Sequence, residues 1–182
     1  MADKKKKGRR AYLSDYVMDV SGEYVYTGDY YEASTEKGDV QKLFKKVFVL
    51  VIVAFVLLVA VGCLSTGTTS GAFYVTLPHT AAIILSAFCI YDSWTVMRSK
   101  GRLRTHDYET SAQRLKGFSI SAGVCAFAAA AGQTGYTVLK GGKATRTADI
   151  LFLAGCFAAA MLYYRVFTIK KQILWQKCTE KA

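Results

Sequence analysis

This sequence of 182 residues lacks the short motifs of the common catalytic and metal-binding sites. It contains no HExxH, GxSxG or DxD pattern, and no glycine-rich phosphate loop follows a predicted strand. Its five cysteines include no CxxC pair, so neither a disulfide framework nor a zinc site is indicated. We therefore expect no enzymatic activity, no bound metal and no cofactor.

The hydrophobic residues, 52% of the chain, are concentrated in four long blocks. A bilayer core about 30 Å thick needs roughly 20 helical residues to cross it. The blocks cover residues 47–64, 73–97, 117–139 and 148–169. They leave too little chain for a separate soluble core. The sequence predicts an all-α integral membrane protein, with a basic, tyrosine-rich segment at 1–46, a four-helix transmembrane domain at 47–169 and a tail at 170–182.

Acidic residues are outnumbered, and the positions of the basic residues predict the orientation. Segments 1–46, 98–116 and 170–182 contain twenty Lys and Arg residues, whereas the loops 65–72 and 140–147 contain three. Basic residues favour the cytoplasmic side, so both termini and the middle loop are predicted to lie inside. The net charge of +11 then indicates attraction to anionic lipid headgroups rather than to nucleic acid. Aromatic residues at the basic helix ends agree with this orientation: Tyr91, Trp94, Tyr163, Tyr164 and Trp175.

Half of the twelve tyrosines lie within twenty residues of the N-terminal segment. Two short β-type runs, 23–27 and 30–32, flank Gly28 and Asp29, which form a two-residue turn signal. This pattern predicts a short β-hairpin, while a flexible aromatic tail adsorbed at the lipid interface is the alternative. In either form the segment is a candidate interaction surface through four tyrosines: Tyr24, Tyr26, Tyr30 and Tyr31.

Ionisable residues within the predicted spans are costly in lipid and suggest function. Asp92 and Arg165 lie at similar depths near the cytoplasmic ends of the second and fourth spans, so we predict a possible intramembrane polar pair. The alternative is that each side chain reaches water alone. His79 is expected to be a hydrated residue at the start of the second helix. Asp149 suits the positive N-terminal end of the fourth helix.

Small residues four positions apart favour close helix packing in lipid. We expect them to pack the third helix against the fourth, with a dimer interface as the alternative. The residues of this predicted packing face are Ser119, Gly123, Ala128, Gly132, Gly155 and Ala159.

Several residues predict where the helices begin. Asp39 is a suitable N-cap for a helix that starts at Val40 and continues into the first span. Pro78 suggests that the second regular helix starts near it, because the first helical turn tolerates a missing N–H. Asp107, in the middle loop, is predicted to cap a helix that leads into the third span rather than to bind a metal.

The N-terminal residues 9–13 (RRAYL) and 21–28 (SGEYVYTG) resemble uncharacterised small four-helix membrane proteins of Gram-positive anaerobes. The resemblance covers about 30 residues and includes no catalytic motif. It implies a bacterial plasma membrane and no particular activity. The sequence as a whole predicts a non-enzymatic accessory or interaction subunit, with a membrane-protein partner or self-association. The alternative is a small transporter or channel with a polar site between helices two, three and four.

Overall fold

The computed structural model describes residues 16–19, 22–35, 39–64, 72–139 and 147–178. Four helices are long and apolar enough to cross a membrane, which confirms the predicted helical bundle. The helices are α1 (Val40–Gly62), α2 (Phe73–Arg98), the short α3 (Thr105–Asp107), α4 (Gln113–Leu139) and α5 (Thr147–Lys171). The strands are β1 (Tyr16–Met18), β2 (Tyr24–Tyr26), β3 (Tyr30–Ser34), β4 (Arg102–Arg104) and β5 (Leu174–Cys178).

The predicted start of the first long helix is confirmed, and that of the second is wrong. Helix α1 begins at Val40 as predicted, where the Asp39 carboxylate accepts a hydrogen bond of 2.9 Å from the Gln41 N–H. Helix α2 begins at Phe73 and includes Pro78, so the predicted start near the proline is wrong. Pro78 lies inside the helix, where it lacks the N–H that would donate to the Tyr74 carbonyl.

The middle loop enters the third span without the predicted cap. Residues Thr105–Leu139 form one helical segment, in which α3 passes through a π-helical turn at Tyr108–Ala112 into α4. Asp107 has helical backbone angles, and its side chain makes no capping hydrogen bond. The predicted role of Asp107 as a cap is therefore wrong, because the helix starts before it.

The four long helices surround a core that is rich in small side chains. Helix α1 packs against α2 and α5, and α4 packs against the same two helices, so neighbours in the chain are neighbours in the bundle. Small core residues let helix backbones approach closely, larger side chains such as Leu58, Phe152 and Tyr163 fill the interior, and other large side chains face outward. The fully buried alanines are Ala54, Ala82, Ala122, Ala126, Ala129 and Ala159. Large exposed side chains include Val53, Ile84, Phe88, Val124, Phe127 and Phe157.

A three-stranded sheet closes one end of the bundle, which we call the sheet end. Its order is β4-β3-β5, and both pairings are antiparallel. Tyr31 of the central strand lies opposite Leu103 and Lys177, so one sheet joins the N-terminal segment, the middle loop and the C-terminal tail. Beneath the sheet lies a second small core, formed by Phe44, Val96, Leu103, Ala112 and Ile173.

The predicted hairpin forms with different strands. Strand β2 pairs with β1, not with β3, and Val25 lies opposite Val17. The turn ends at Gly22, whose φ of +81° suits glycine, and the Gly22 N–H donates to the Asp19 carbonyl. Strand β3 pairs with β4 and β5 instead, because its inward side chains cover the apolar end of the bundle.

Candidate functional site

The buried face of α2 carries an unusual number of polar side chains. His79, Ser86, Asp92 and Ser93, which we call the polar row, are all buried. His79, Ser86 and Ser93 are seven residues apart, about two helical turns, so they lie on one side of the helix, and Asp92 adjoins Ser93. The row therefore extends along the interior of the bundle, from the sheet end to the opposite end.

At the sheet end of the row, Asp92 is only 4% exposed. The Ser111 hydroxyl hydrogen-bonds to the Asp92 carboxylate. Arg114 and Lys170 are the basic groups whose charges attract this carboxylate. The Lys170 ammonium donates to the Ala112 carbonyl. Within the described residues, Asp92 Oδ2 has no hydrogen-bond partner. Asp92 is thus a buried carboxylate with one free oxygen beside two basic residues.

Asp92 is not brought together with Arg165, its predicted partner. Arg165 is exposed, whereas the side chain of Lys170 on the same helix is turned toward the middle-loop residue Ala112. Five residues rotate a helix by about 140°, so Arg165 and Lys170 point in very different directions. Depth in the membrane could not distinguish Arg165 from Lys170, because the direction in which each side chain points from the helix decides which cation reaches the interior.

The middle of the row contains a short hydrogen-bond chain. The Tyr163 hydroxyl donates to Ser86 Oγ at 2.6 Å, and Ser86 donates to the Ala82 carbonyl at 2.5 Å. The sequence placed Tyr163 at the lipid interface, but the side chain is only 1% exposed. Gly123 on α4 makes room for it, since a Cβ there would lie 3.2 Å from Tyr163 Cβ.

His79 lies at the other end of the row and is buried, not hydrated as predicted. Its ring hydrogen-bonds to the backbone of Leu58, and its centroid lies 5.0 Å from that of the Phe152 ring. Nε2 of His79 has no partner among the described residues. A Cβ on Gly62 would lie 2.8 Å from His79 Cε1, so this glycine provides the space for the imidazole.

A second buried polar pair lies at the same end of the bundle. Gln133 Nε2 donates a hydrogen bond of 2.9 Å to Asp149 Oδ1, and both side chains are buried. Asp149 is in the first turn of α5, as the sequence indicated, but it faces the interior. The spacing of the two residues did not reveal this pair, because their positions along the chain do not give the alignment of α4 with α5.

The six residues of the predicted packing face have different neighbours. Gly123 packs against α5, while Gly132 would place a Cβ 3.1 Å from the Tyr74 carbonyl oxygen of α2. Gly155 packs against α1, because its Cβ would lie 2.2 Å from Val61 Cγ1. Two further members are buried and one is exposed: Ser119 and Ala159 are buried, and Ala128 is exposed.

The β1–β2 hairpin rests on the outer face of the sheet and leaves large apolar side chains exposed. Arg104 Nη1 donates to the Tyr16 hydroxyl at 2.8 Å, and its guanidinium lies 5.3 Å from the Tyr26 ring centroid. The Tyr26 hydroxyl donates to the Asp29 carbonyl at 3.0 Å. The exposed residues of the hairpin are Val17 (55%), Met18 (58%), Tyr24 (70%) and Val25 (47%).

Of the four tyrosines predicted to form an interaction segment, only Tyr24 is exposed. Tyr26 and Tyr30 pack edge to face, with ring centroids 5.1 Å apart. Tyr31 stacks on Tyr108 at 4.0 Å on the inner side of the sheet. Tyr26, Tyr30 and Tyr31 are therefore engaged in ring contacts. The exposed surface of the hairpin is formed by Tyr24 together with Val17, Met18 and Val25.

In the described part of the chain, no three His, Cys, Asp or Glu residues are grouped closely enough to hold a metal ion. No family model matches the chain, and no curated protein or solved structure matches it significantly.

Proposed function

We propose that this protein is a multi-pass protein of a bacterial plasma membrane that acts as a non-enzymatic interaction or accessory subunit. The outward valine and phenylalanine side chains of the four long helices support insertion in lipid. Three basic segments contribute strands or helix ends to the sheet end, and this concentration of basic residues supports a cytoplasmic position for it. The four-helix bundle then anchors the three-stranded sheet and the β1–β2 hairpin at the cytoplasmic face of the membrane.

The exposed hairpin is the observation on which this function rests. An isolated two-stranded hairpin is marginally stable in water, but this one is attached to the sheet through Arg104 and Tyr16. Val17 and Val25 lie opposite each other and are exposed on one face of the hairpin, whereas Met18 and Tyr24 are exposed on the other face. Exposed apolar side chains that share one face, as Val17 and Val25 do, are candidate contacts for a partner. A partner protein at the cytoplasmic face of the membrane is the ligand that we assign to this surface.

A photoreactive amino acid placed at Val25 tests this proposal in intact cells. We expect a discrete crosslinked product between this protein and one partner protein. Arg104→Gln should abolish the product, because it releases the hairpin from the sheet. The matched control is the same photoreactive residue at Gln113, an exposed position near the same end of the bundle. Adducts to lipid alone, or the same product from Gln113, would contradict an interaction surface on the hairpin.

Single-cysteine labelling tests the proposed orientation separately. In a background without the five native cysteines, Ser70→Cys and Thr145→Cys should react with an impermeant maleimide in intact cells. Lys100→Cys and Gln176→Cys should react only after the membrane is permeabilised. Labelling of the last two in intact cells would reverse the topology and remove the cytoplasmic partner.

Transport is the second candidate function, and the free Asp92 Oδ2 is the observation that favours it. Intramembrane carboxylates are frequent in ion and proton pathways. The protein in liposomes under an imposed pH gradient should then carry a proton flux that Asp92→Asn abolishes and Arg165→Gln preserves. A flux equal to that of empty liposomes would exclude proton transport and leave the interaction subunit.

A further inference from the structure

Helices α4 and α5 leave an apolar groove on the outer surface of the bundle. The groove has a volume of about 380 Å³, within the usual range of small-molecule sites. Gly123 of α4 lies near Ala160 of α5, and these small residues leave space between the two helices. The groove is lined on α4 by Ser119, Ile120, Gly123, Val124 and Phe127, and on α5 by Ala160, Tyr163, Tyr164 and Phe167.

Helical spacing places one lysine on each wall, at the same end of the groove. On α4 the lining positions are three or four residues apart, and one step before Ser119 and Ile120 is Lys116. On α5 one step beyond Phe167 is Lys171. The ammonium groups of Lys116 and Lys171 lie 5.9 Å and 4.6 Å from the Phe167 ring centroid. Two cations therefore mark the sheet end of an otherwise apolar groove.

The length of the groove matches one leaflet of a bilayer. From Lys116 to Phe127 the α4 axis advances roughly 16 Å, at about 1.5 Å per residue. The hydrocarbon core is about 30 Å thick, so this distance is about half of it. With the lysines at headgroup level, the groove reaches the middle of the membrane.

We propose that this groove binds one acyl chain of an anionic phospholipid from the leaflet at the sheet end, with its phosphate between Lys116 and Lys171. An acyl chain needs no hydrogen bonds, which suits apolar walls. Both lysines are exposed, and neither forms an ion pair with a described residue. An uncharged partner helix would leave them unneutralised. This site is independent of the hairpin and of its proposed partner.

Native mass spectrometry of the full-length protein tests the headgroup contact. The protein is released from nanodiscs that contain equal amounts of phosphatidylglycerol and phosphatidylcholine with the same acyl chains. We expect retained phosphatidylglycerol to predominate. Lys116→Gln and Lys171→Gln should each lower this preference about five-fold, which corresponds to about 1 kcal/mol per basic residue at an anionic surface. The matched control is Lys45→Gln with Lys46→Gln, two exposed lysines on α1 at the same end, which should preserve it.

A second variant tests the acyl chain. Val124→Trp fills the groove from an exposed lining position and should lower the total retained lipid, whereas Val53→Trp on the outward face of α1 should not. Thermal unfolding checks that both variants are folded. The proposal is overturned by unchanged retention in Val124→Trp, or by equal loss of preference in the Lys45 and Lys46 control. A lipid-free dimer is equally contrary, since a second copy would then occupy the groove.

Discussion

The Tyr163 hydroxyl donates a hydrogen bond of 2.6 Å to the Ser86 hydroxyl and so joins α5 to α2 across the bundle. Ser86 also donates to the Ala82 carbonyl of its own helix, so its oxygen both donates and accepts. Both side chains are buried, with no water in reach if the bundle lies in lipid. Ser86 therefore keeps a hydrogen-bond acceptor when the Tyr163 hydroxyl is removed, whereas Tyr163 loses its acceptor when the Ser86 hydroxyl is removed.

Ser86→Ala should destabilise the protein more than Tyr163→Phe. The serine variant leaves the buried tyrosine hydroxyl without its acceptor, at a cost of about 1–3 kcal/mol. The phenylalanine variant leaves Ser86 bonded to Ala82 and should cost about 0.6 kcal/mol, the average for such bonds in membranes. The double variant should be more stable than Ser86→Ala alone. Unfolding titrations in detergent with increasing dodecyl sulfate measure these differences, and equal losses in both single variants would contradict the asymmetry.

Most of the helical architecture could be predicted from the sequence, because it depends on local signals. The uninterrupted apolar block after Asp39 determines α1, and Asp39 itself caps the helix. The sheet could not be predicted, since Tyr30 pairs with Arg104 and Cys178, which are far away along the chain. A turn signal such as Gly28 and Asp29 reports only local preference, and long-range pairing overrode it.

The depth of Asp92 in the membrane could be predicted from the sequence, but the residues that surround its carboxylate could not. Asp92 was identified because a carboxylate in an apolar block is conspicuous in any sequence. Its surroundings depend on helix rotation, which a single sequence does not give, so Lys170 was overlooked in favour of Arg165. One signal was present: the seven-residue spacing of His79, Ser86 and Ser93 places them on one face of α2, with Asp92 next to Ser93.

Gly155→Ala should destabilise the bundle strongly. The new Cβ would lie 2.2 Å from Val61 Cγ1, so either the Val61 side chain must move or α1 and α5 must separate. Overpacking of this kind costs about 1–3 kcal/mol. Gly135→Ala is the matched control, because no atom lies within 4 Å of its Cβ, and it should raise stability by up to about 1 kcal/mol through helix propensity. Val61→Ala should restore part of the loss, and failure to rescue would place the strain elsewhere. Thermal melting compares the four variants.

The contact between Lys177 of β5 and Asp29 predicts a pH-dependent attachment of the C-terminal strand. Lys177 Nζ lies 2.5 Å from Asp29 Oδ2, and this hydrogen bond raises the pKa of Lys177 above its ordinary value of 10.5. A raised pKa gives stabilisation that is complete below pH 10.5 and lost as the pH rises through the folded value. Trp175 emission, measured in Trp94→Phe protein, should therefore shift to the red at alkaline pH.

Lys177→Gln in the same background is the control for tyrosine ionisation. It should show the red-shifted emission already at neutral pH, and its difference from the parent should vanish above the raised pKa. The pair is exposed, so salt should weaken it. A constant difference across the alkaline range would show that Lys177 acts through packing and not through its charge.

The final prediction concerns which cation is coupled to Asp92. Asp92 is buried beside Lys170, whereas Arg165 is exposed on another side of α5. In double-mutant cycles, Asp92→Asn and Lys170→Gln should therefore be non-additive by at least about 0.5 kcal/mol, as neighbouring residues are. Asp92→Asn and Arg165→Gln should add within about 0.3–0.5 kcal/mol, the tolerance for independent sites. Unfolding in detergent measures both cycles, with Ser111→Ala as a further coupled partner, because its hydroxyl hydrogen-bonds to the same carboxylate. Coupling to Arg165 and additivity with Lys170 would restore the pair that depth alone predicted.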